Sequence, residues 1–206
     1  MNALENRIYL ASRSPRRREL LKQIGINFEV LIMRSFPTVR ADVDETPGPG
    51  ESPGDYVTRI AANKAMTGWT RALERRVPRL PVLGADTTVT LDGEIIGKPV
   101  NTEDAVRILR KLSGCEHEVF SAVSVAMNDN VTSKLSCSKV RFAELSDALI
   151  QDYVDTGEPV DKAGAYGVQG KAATFIAEIN GSYSGIMGLP LFERAQLLKQ
   201  VGFAVL

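Results

Sequence analysis

The sequence predicts an α/β protein built on a mixed sheet. Three observations point there. Strand-like and helix-like segments mix along the 206 residues without the strict alternation of a doubly wound parallel fold. Two short polar turns, Asp92-Gly93 and "NDN" at 128–130, each separate apolar alternating runs, as antiparallel hairpins require. Helix starts carry capping residues: Ser14-Pro15, Ser52-Pro53, Asn101-Thr102 and Ser146. The chain is long enough for one large domain, and 44% hydrophobic residues supply a packed core.

The elements follow in order. Residues 7–11 read as a short strand feeding a helix over 15–24, which Gly25 stops. Residues 28–33 are a second strand. Residues 34–54 hold too many Pro and Gly for regular structure. Ser52 and Pro53 open a long helix to about Leu73, with Asp55 at the capping-box position. "RLPVLGADTTVTL" is a strand that turns at Asp92-Gly93 into "EIIG". Asn101 or Thr102 caps a helix ending near Ser113-Gly114. Residues 119–126 and 132–142 pair as a hairpin. Ser146 caps a helix to about Val154. "KAGAYGVQG" is a glycine-punctuated loop, "AATFIAEI" a strand closed by Asn180-Gly181, and residues 190–200 the last helix. No internal repeat or low-complexity tract interrupts this order.

Lys plus Arg (25) balances Asp plus Glu (25), so the chain has no general attraction for nucleic acid or anionic lipid. Any anion site is local. Two cysteines, outside any CxxC, are too few for a disulfide framework and fit a reduced, cytoplasmic setting. A single histidine, His117, leaves oxygen ligands as the way to hold a metal. No apolar run is long enough for a signal peptide or a membrane span.

Several charges sit where the patterns call for apolar residues. On the first helix, Leu20, Leu21 and Ile24 define the buried stripe, and Arg17 falls on it. Arg16 lies on its flank; Arg18 and Glu19 point outward. A helix N-terminus is already electropositive, so an arginine run there is unexpected. On the second helix, Lys64 lies at the centre of the Val57, Ile60, Ala61 stripe. Asp86 interrupts a strand that reads as buried. The plain alternatives are snorkelling cations, a structural Lys64–Asp86 pair, and a solvated loop for Asp42, Asp44 and Glu45. Taken together with Lys98, they have the composition of a phosphoryl-transfer site: cations for a polyanion, a helix N-terminus for the same anion, and carboxylates for a metal or a water. If Arg17 and Lys64 converge on that polyanion, Arg17→Met and Lys64→Met should leave stability unchanged or raised and lose roughly tenfold or more in kcat/KM; if they only snorkel, activity should survive. No GxxxxGK[ST] is present. "GAYGVQG" is a weak hint of close ligand approach, and a Ser14–His117–Asp triad has no support in spacing.

These residues resemble a known family. "LASRSPRRRELL", "DYVTRIAANKA", "VLGADTTVTLDGEIIGKP", "LSGCEHEVFSAV", "DKAGAYGVQG" and "INGSYSGIMGLPL" are similar to successive blocks of the Maf family of cytoplasmic nucleoside triphosphate pyrophosphatases, over nearly the whole chain and in order. The resemblance implies a fold like that of the inosine-triphosphate pyrophosphatases: one domain, 1–206, with an elongated mixed sheet, flanking helices and two lobes around a central cleft. It implies hydrolysis of a nucleoside triphosphate to monophosphate and pyrophosphate with a divalent cation (Mg2+ or Mn2+), and a homodimer. It makes Asp86 the general base and a metal ligand with Glu45. Ser14, Arg16, Arg17, Lys64 and Lys98 line the phosphate site. Arg16, Thr87 and Gln169 match the branch that prefers dTTP and UTP; the branch acting on 7-methyl-GTP has an aromatic residue and Glu at the positions of Arg16 and Gln169. Residues 34–41 form a small expansion before the acidic "DVDE", and Arg13 stands where the family often has a small residue. The alternative function is a nucleotide- or RNA-binding regulator of cell division without catalysis. "SRSPRR" resembles arginine–serine segments of RNA-associated proteins, but it occurs once and opens an amphipathic helix.

Overall fold

A computed structural model describes residues 7–31 and 42–203. β1 (Arg7–Leu10) runs into α1 (Pro15–Gln23), and the chain returns as β2 (Asn27–Val30). α2 (Pro53–Glu74) precedes β3 (Val82–Leu91) and β4 (Glu94–Ile96); α3 (Thr102–Leu112) leads to the long hairpin of β5 (Glu116–Met127) and β6 (Asn130–Phe142). α4 (Asp147–Asp155), β7 (Ile176–Asn180), α5 (Tyr183–Met187) and α6 (Leu191–Gln200) complete the chain. The seven strands form one sheet in the order β2-β1-β3-β5-β6-β7, with β4 on β3. β1 is parallel to β2 and β3, and the other pairs are antiparallel, so the sheet is mixed as the sequence predicts.

Local chemistry explains most boundaries. The side chains of Ser52, Asn101 and Ser146 accept the N–H groups of Asp55, Asp104 and Leu149, which caps α2, α3 and α4. Asp92 and Gly93 both have positive φ, as do Asn128 and Asp129, which gives the two tight hairpin turns their twist. Ser14 holds the position before α1 but its side chain makes no capping bond, against expectation.

Other readings are corrected. Residues 172–175 are not strand: Lys171–Thr174 forms a 3-10 turn, and β7 starts only at Ile176. Glu158 accepts the N–H groups of Lys171 and Ala172 and ties that backbone away from the sheet. The short helix α5 was not legible, because "GSYSG" reads as a turn; Ser182 caps it on Gly185 N–H. The second strand ends at Val30. Residues 32 and 33 of that expected strand, and the 34–41 expansion, lie outside the described residues.

One face of β3 feeds two cores in turn along its length. Leu83 and Ala85 pack with β1, α1 and α6, whereas Val89 packs with α3, α4 and Phe142. α2 covers the opposite face through Ala65, Trp69 and Ala72. It lies very close, because a Cβ on Gly84 would come within 2.3 Å of the Ala61 carbonyl oxygen and 2.6 Å of Ala65 N. β3 pairs with β1 only through Val82 and Leu83, and with β4 only from Val89 onward. Residues 84–88 lie between those two pairings.

Candidate active site

That gap on the β3 edge opens into a cleft of about 870 Å³, beside the carboxyl end of β1 and the first turn of α1. Ser14, Arg16, Arg17, Glu45, Lys64, Asp86, Thr87, Lys98 and Gln169 all line it. The residues that break the sequence pattern therefore converge on one place.

α1 contributes the arginines, and each does something different. Arg17 is buried, with Nε 2.7 Å from the Gly188 carbonyl oxygen and Nη1 3.1 Å from Ser12 Oγ; Nη2 lies 3.4 Å from Thr87 Oγ1. Burial pulls its pKa down, while the negative charge of Asp86 acts the other way. Arg16 reaches across the cleft, its Nη1 3.6 Å from Asp161 Oδ1. Arg18 turns outward onto the Arg13 and Ser14 carbonyls. Ser121 Oγ donates to the Gly185 carbonyl at 2.6 Å, so Thr87 Oγ1, 2.9 Å away, spends its own proton on Ser121. Thr87 then faces Arg17 as an acceptor.

α2 contributes Lys64. Its Nζ lies 2.7 Å from Asp86 Oδ1 and 2.7 Å from Glu45 Oε1. The close seating of α2 on Gly84, two residues before Asp86, brings that ammonium within reach. Partial burial pushes the Glu45 carboxyl up, but Lys64, with Lys98 and Arg17, outweighs this and holds it below the usual carboxylate range. Tyr56 also lines the cleft; its hydroxyl donates to the Glu45 carbonyl, and burial beside Asp86 and Glu45 raises its pKa to about 12. Lys98 and Gln169 stand exposed at the rim.

Glu45 and Asp86 offer hard oxygen ligands close enough to share one ammonium, so one small divalent ion can reach both. Among the described residues no group of three or more His, Cys, Asp or Glu is placed to hold a metal. Two carboxylates fit Mg2+ or Mn2+ that arrives with phosphate oxygens and keeps several waters, rather than an all-protein cage.

Sequence reading missed Ser12, Tyr56, Ser121 and Asp161 in the cleft or its wall. For Tyr56 a signal exists: Tyr56, Ile60 and Lys64 are successive i, i+4 positions on one face of α2. Two glycines of "GAYGVQG" make room for protein: a Cβ on Gly164 would meet Val89 at 2.9 Å, and one on Gly170 would meet Glu158 at 2.3 Å, whereas Gly167 lines the cleft. His117 is buried in β5, its Nε2 2.9 Å from Tyr166 Oη, and burial lowers its pKa to about 4. It forms no triad with Ser14. Cys115 and Cys137 are free thiols. No described helix is long and apolar enough to cross a membrane.

Comparison with known proteins places the chain in a family. The dTTP/UTP pyrophosphatase of Aromatoleum aromaticum is 57% identical over 98% of this chain and 99% of its own. That of Nitrosomonas europaea is 56% identical over 97% of both. Among solved structures, the Staphylococcus aureus Ham1 protein aligns with a TM-score of 0.39 and 19% identity, over 68% of this chain and 72% of that one, which is too slight a likeness to carry an argument. The family model described as Maf-like protein matches residues 7–201, nearly all of the chain that surrounds the cleft, and the chain belongs to that family.

Proposed function

We propose that the protein is a nucleoside triphosphate pyrophosphatase that hydrolyses dTTP and UTP to the monophosphate and pyrophosphate. The observation that carries this reading is the convergence of Arg17, Lys64 and Lys98 with Asp86 and Glu45 in one cleft. The printed activity of the relatives supports the choice of pyrimidine nucleotides.

In this reading Lys98, Arg17 and the N–H groups at the start of α1 bind the phosphate chain. Lys64 holds the Asp86 carboxylate in place and shares its charge with the anion. Asp86 accepts the proton of the water that attacks the α-phosphorus; the bond from that phosphorus to the β-bridging oxygen breaks, and pyrophosphate departs with the electron pair. Glu45 and Asp86 would hold the divalent cation, whose chemistry is to offset charge on the phosphate oxygens. Gln169 offers an amide that both donates to and accepts from the imide edge of a pyrimidine, and Arg16 lies toward the same end. A cytoplasmic homodimer belongs to the same reading, and sedimentation would measure its mass.

The test is a panel of nucleoside triphosphates assayed for both phosphate products, with Mg2+ or Mn2+ and with chelator. Fast release of pyrophosphate from dTTP and UTP, slow turnover of ATP and GTP, and loss of turnover with chelator are expected. Orthophosphate as product would mean attack at the γ-phosphorus and would overturn the mechanism.

A further inference from the structure

Asp161 enters the cleft from a loop that the function above does not use. Its Oδ1 lies 3.6 Å from Arg16 Nη1 and 3.2 Å from Lys162 Nζ. It is a non-glycine residue at φ +71°, a conformation that costs energy and persists only where the surroundings impose it. The surroundings do impose it. Lys162 Nζ donates to the Glu158 carbonyl at 2.6 Å, and the Glu158 carboxylate accepts from Tyr153 Oη and from Lys171 N. The loop is thus a fixed ledge that presents one carboxylate to Arg16. Stability is a poor reason for it, since the Asp161 side chain is 57% exposed and exposed ion pairs contribute little.

The cleft itself supplies a better reason. Arginine binds phosphate in bidentate fashion at least as readily as lysine does. An unmasked Arg16 would offer the triphosphate a second anchor beside Asp161 rather than beside the Lys64–Asp86 pair, and nucleotides bound there would be held out of reach of the base. Asp161 stands apart from the two carboxylates that hold Lys64; among the described residues it pairs with Arg16 and Lys162.

We propose that Asp161 sets the polarity of nucleotide binding: it neutralises Arg16, so that the phosphate chain is drawn to Arg17, Lys64 and Lys98 while Arg16 keeps N–H donors for an uncharged base. This rests on the pyrophosphatase reading for the direction in which the nucleotide lies. Asp161 is a positioning residue that acts through Arg16.

Two measurements test it. Calorimetric binding of inorganic tripolyphosphate needs no turnover. Asp161→Asn, with an unchanged circular dichroism spectrum, should bind it about tenfold more tightly than the natural chain, the gain expected of one additional charge-assisted contact. Adding Arg16→Met should remove the gain. In dTTP hydrolysis, Asp161→Asn should lower kcat and KM together, severalfold, with kcat/KM nearly held, because backward binding is tight and unproductive. Unchanged tripolyphosphate affinity, or a raised KM at constant kcat, overturns the proposal. Arg16→Met alone provides a check that does not depend on the folding of the aspartate variant: it should leave tripolyphosphate affinity within twofold, and a tenfold loss would show that Arg16 is not masked. Failure of the pyrophosphatase reading is separate, since it shows as absent pyrophosphate release by the natural chain.

Discussion

Asp86→Asn keeps the shape of the side chain and removes its capacity to take a proton. It should leave the melting temperature near that of the natural chain and lower kcat by about 10²–10⁴-fold, measured with saturating metal. Lys64→Met should lower kcat/KM by roughly tenfold or more, through loss of a charge-assisted contact to a partly desolvated anion. Its effect on stability follows from Glu45. The depressed carboxyl of Glu45 stabilises the fold above the ordinary carboxylate range, and this is lost as pH falls through its folded value. Without Lys64 that contribution disappears, so the deficit in melting temperature should be largest near neutrality and shrink in acid. Arg17→Met departs from the expectation drawn from the sequence. Arg17 donates to Gly188, Ser12 and Thr87, so its loss leaves buried acceptors unpaired and should cost about 1–3 kcal/mol as well as activity, read by urea unfolding. Gln169→Glu should weaken dTTP use relative to purine nucleotides, and an unchanged preference would remove Gln169 from base recognition. Off-pattern charge made Arg17, Lys64 and Asp86 legible, because helix and strand periods assign each position a face. The Lys64–Asp86 pair was legible as well, and Glu45, in a loop, only through the resemblance. Gly188 lies far along the chain, and an exposed aspartate such as Asp161 looks in sequence like any solvated one.

Among the elements, α2 and β3 carry the site, and the small residues between them set its dimensions. Gly84→Ala would drive a methyl into the Ala61 carbonyl, which cannot yield without moving the helix. The variant should lose about 1–3 kcal/mol by overpacking and lose activity too, because α2 must lift and take Lys64 away from Asp86. Normal activity in a folded Gly84→Ala chain would show that the separation of helix and strand does not matter. Most elements were readable from capping and turn residues, whose signals are local. The failures were non-local. Residues 171–174 have a strand-like composition but follow Glu158, and α5 depends on Ser182 capping a turn of glycines and serines.

At the scale of the molecule, the single histidine gives stability an acid dependence. His117 has a folded pKa of about 4 against an ordinary value near 6.5, so below that value the unfolded chain binds the extra proton. Stability should therefore rise with pH across this window and be lost as pH falls. Between pH 6.5 and 5 the loss should be about 1.5 kcal/mol, while His117→Asn should show a much flatter profile there. Equal slopes in the two proteins would mean that burial of His117 is not what the acid limb reports.

The gap in β3 pairing has a mechanical consequence. Leu83 and Val89 anchor one strand in two separate cores, and residues 84–88 between them, held in the sheet among the described residues by β5 alone, form a joint. Asp86 rides on the joint itself, Arg17 on the body to one side, and Lys98 on the loop after β4 to the other. A polyanion gripping all three would act as a splint across that joint. Its binding should slow amide hydrogen exchange along β3 on both sides of the cleft at once, including at Leu83, which does not line the cleft.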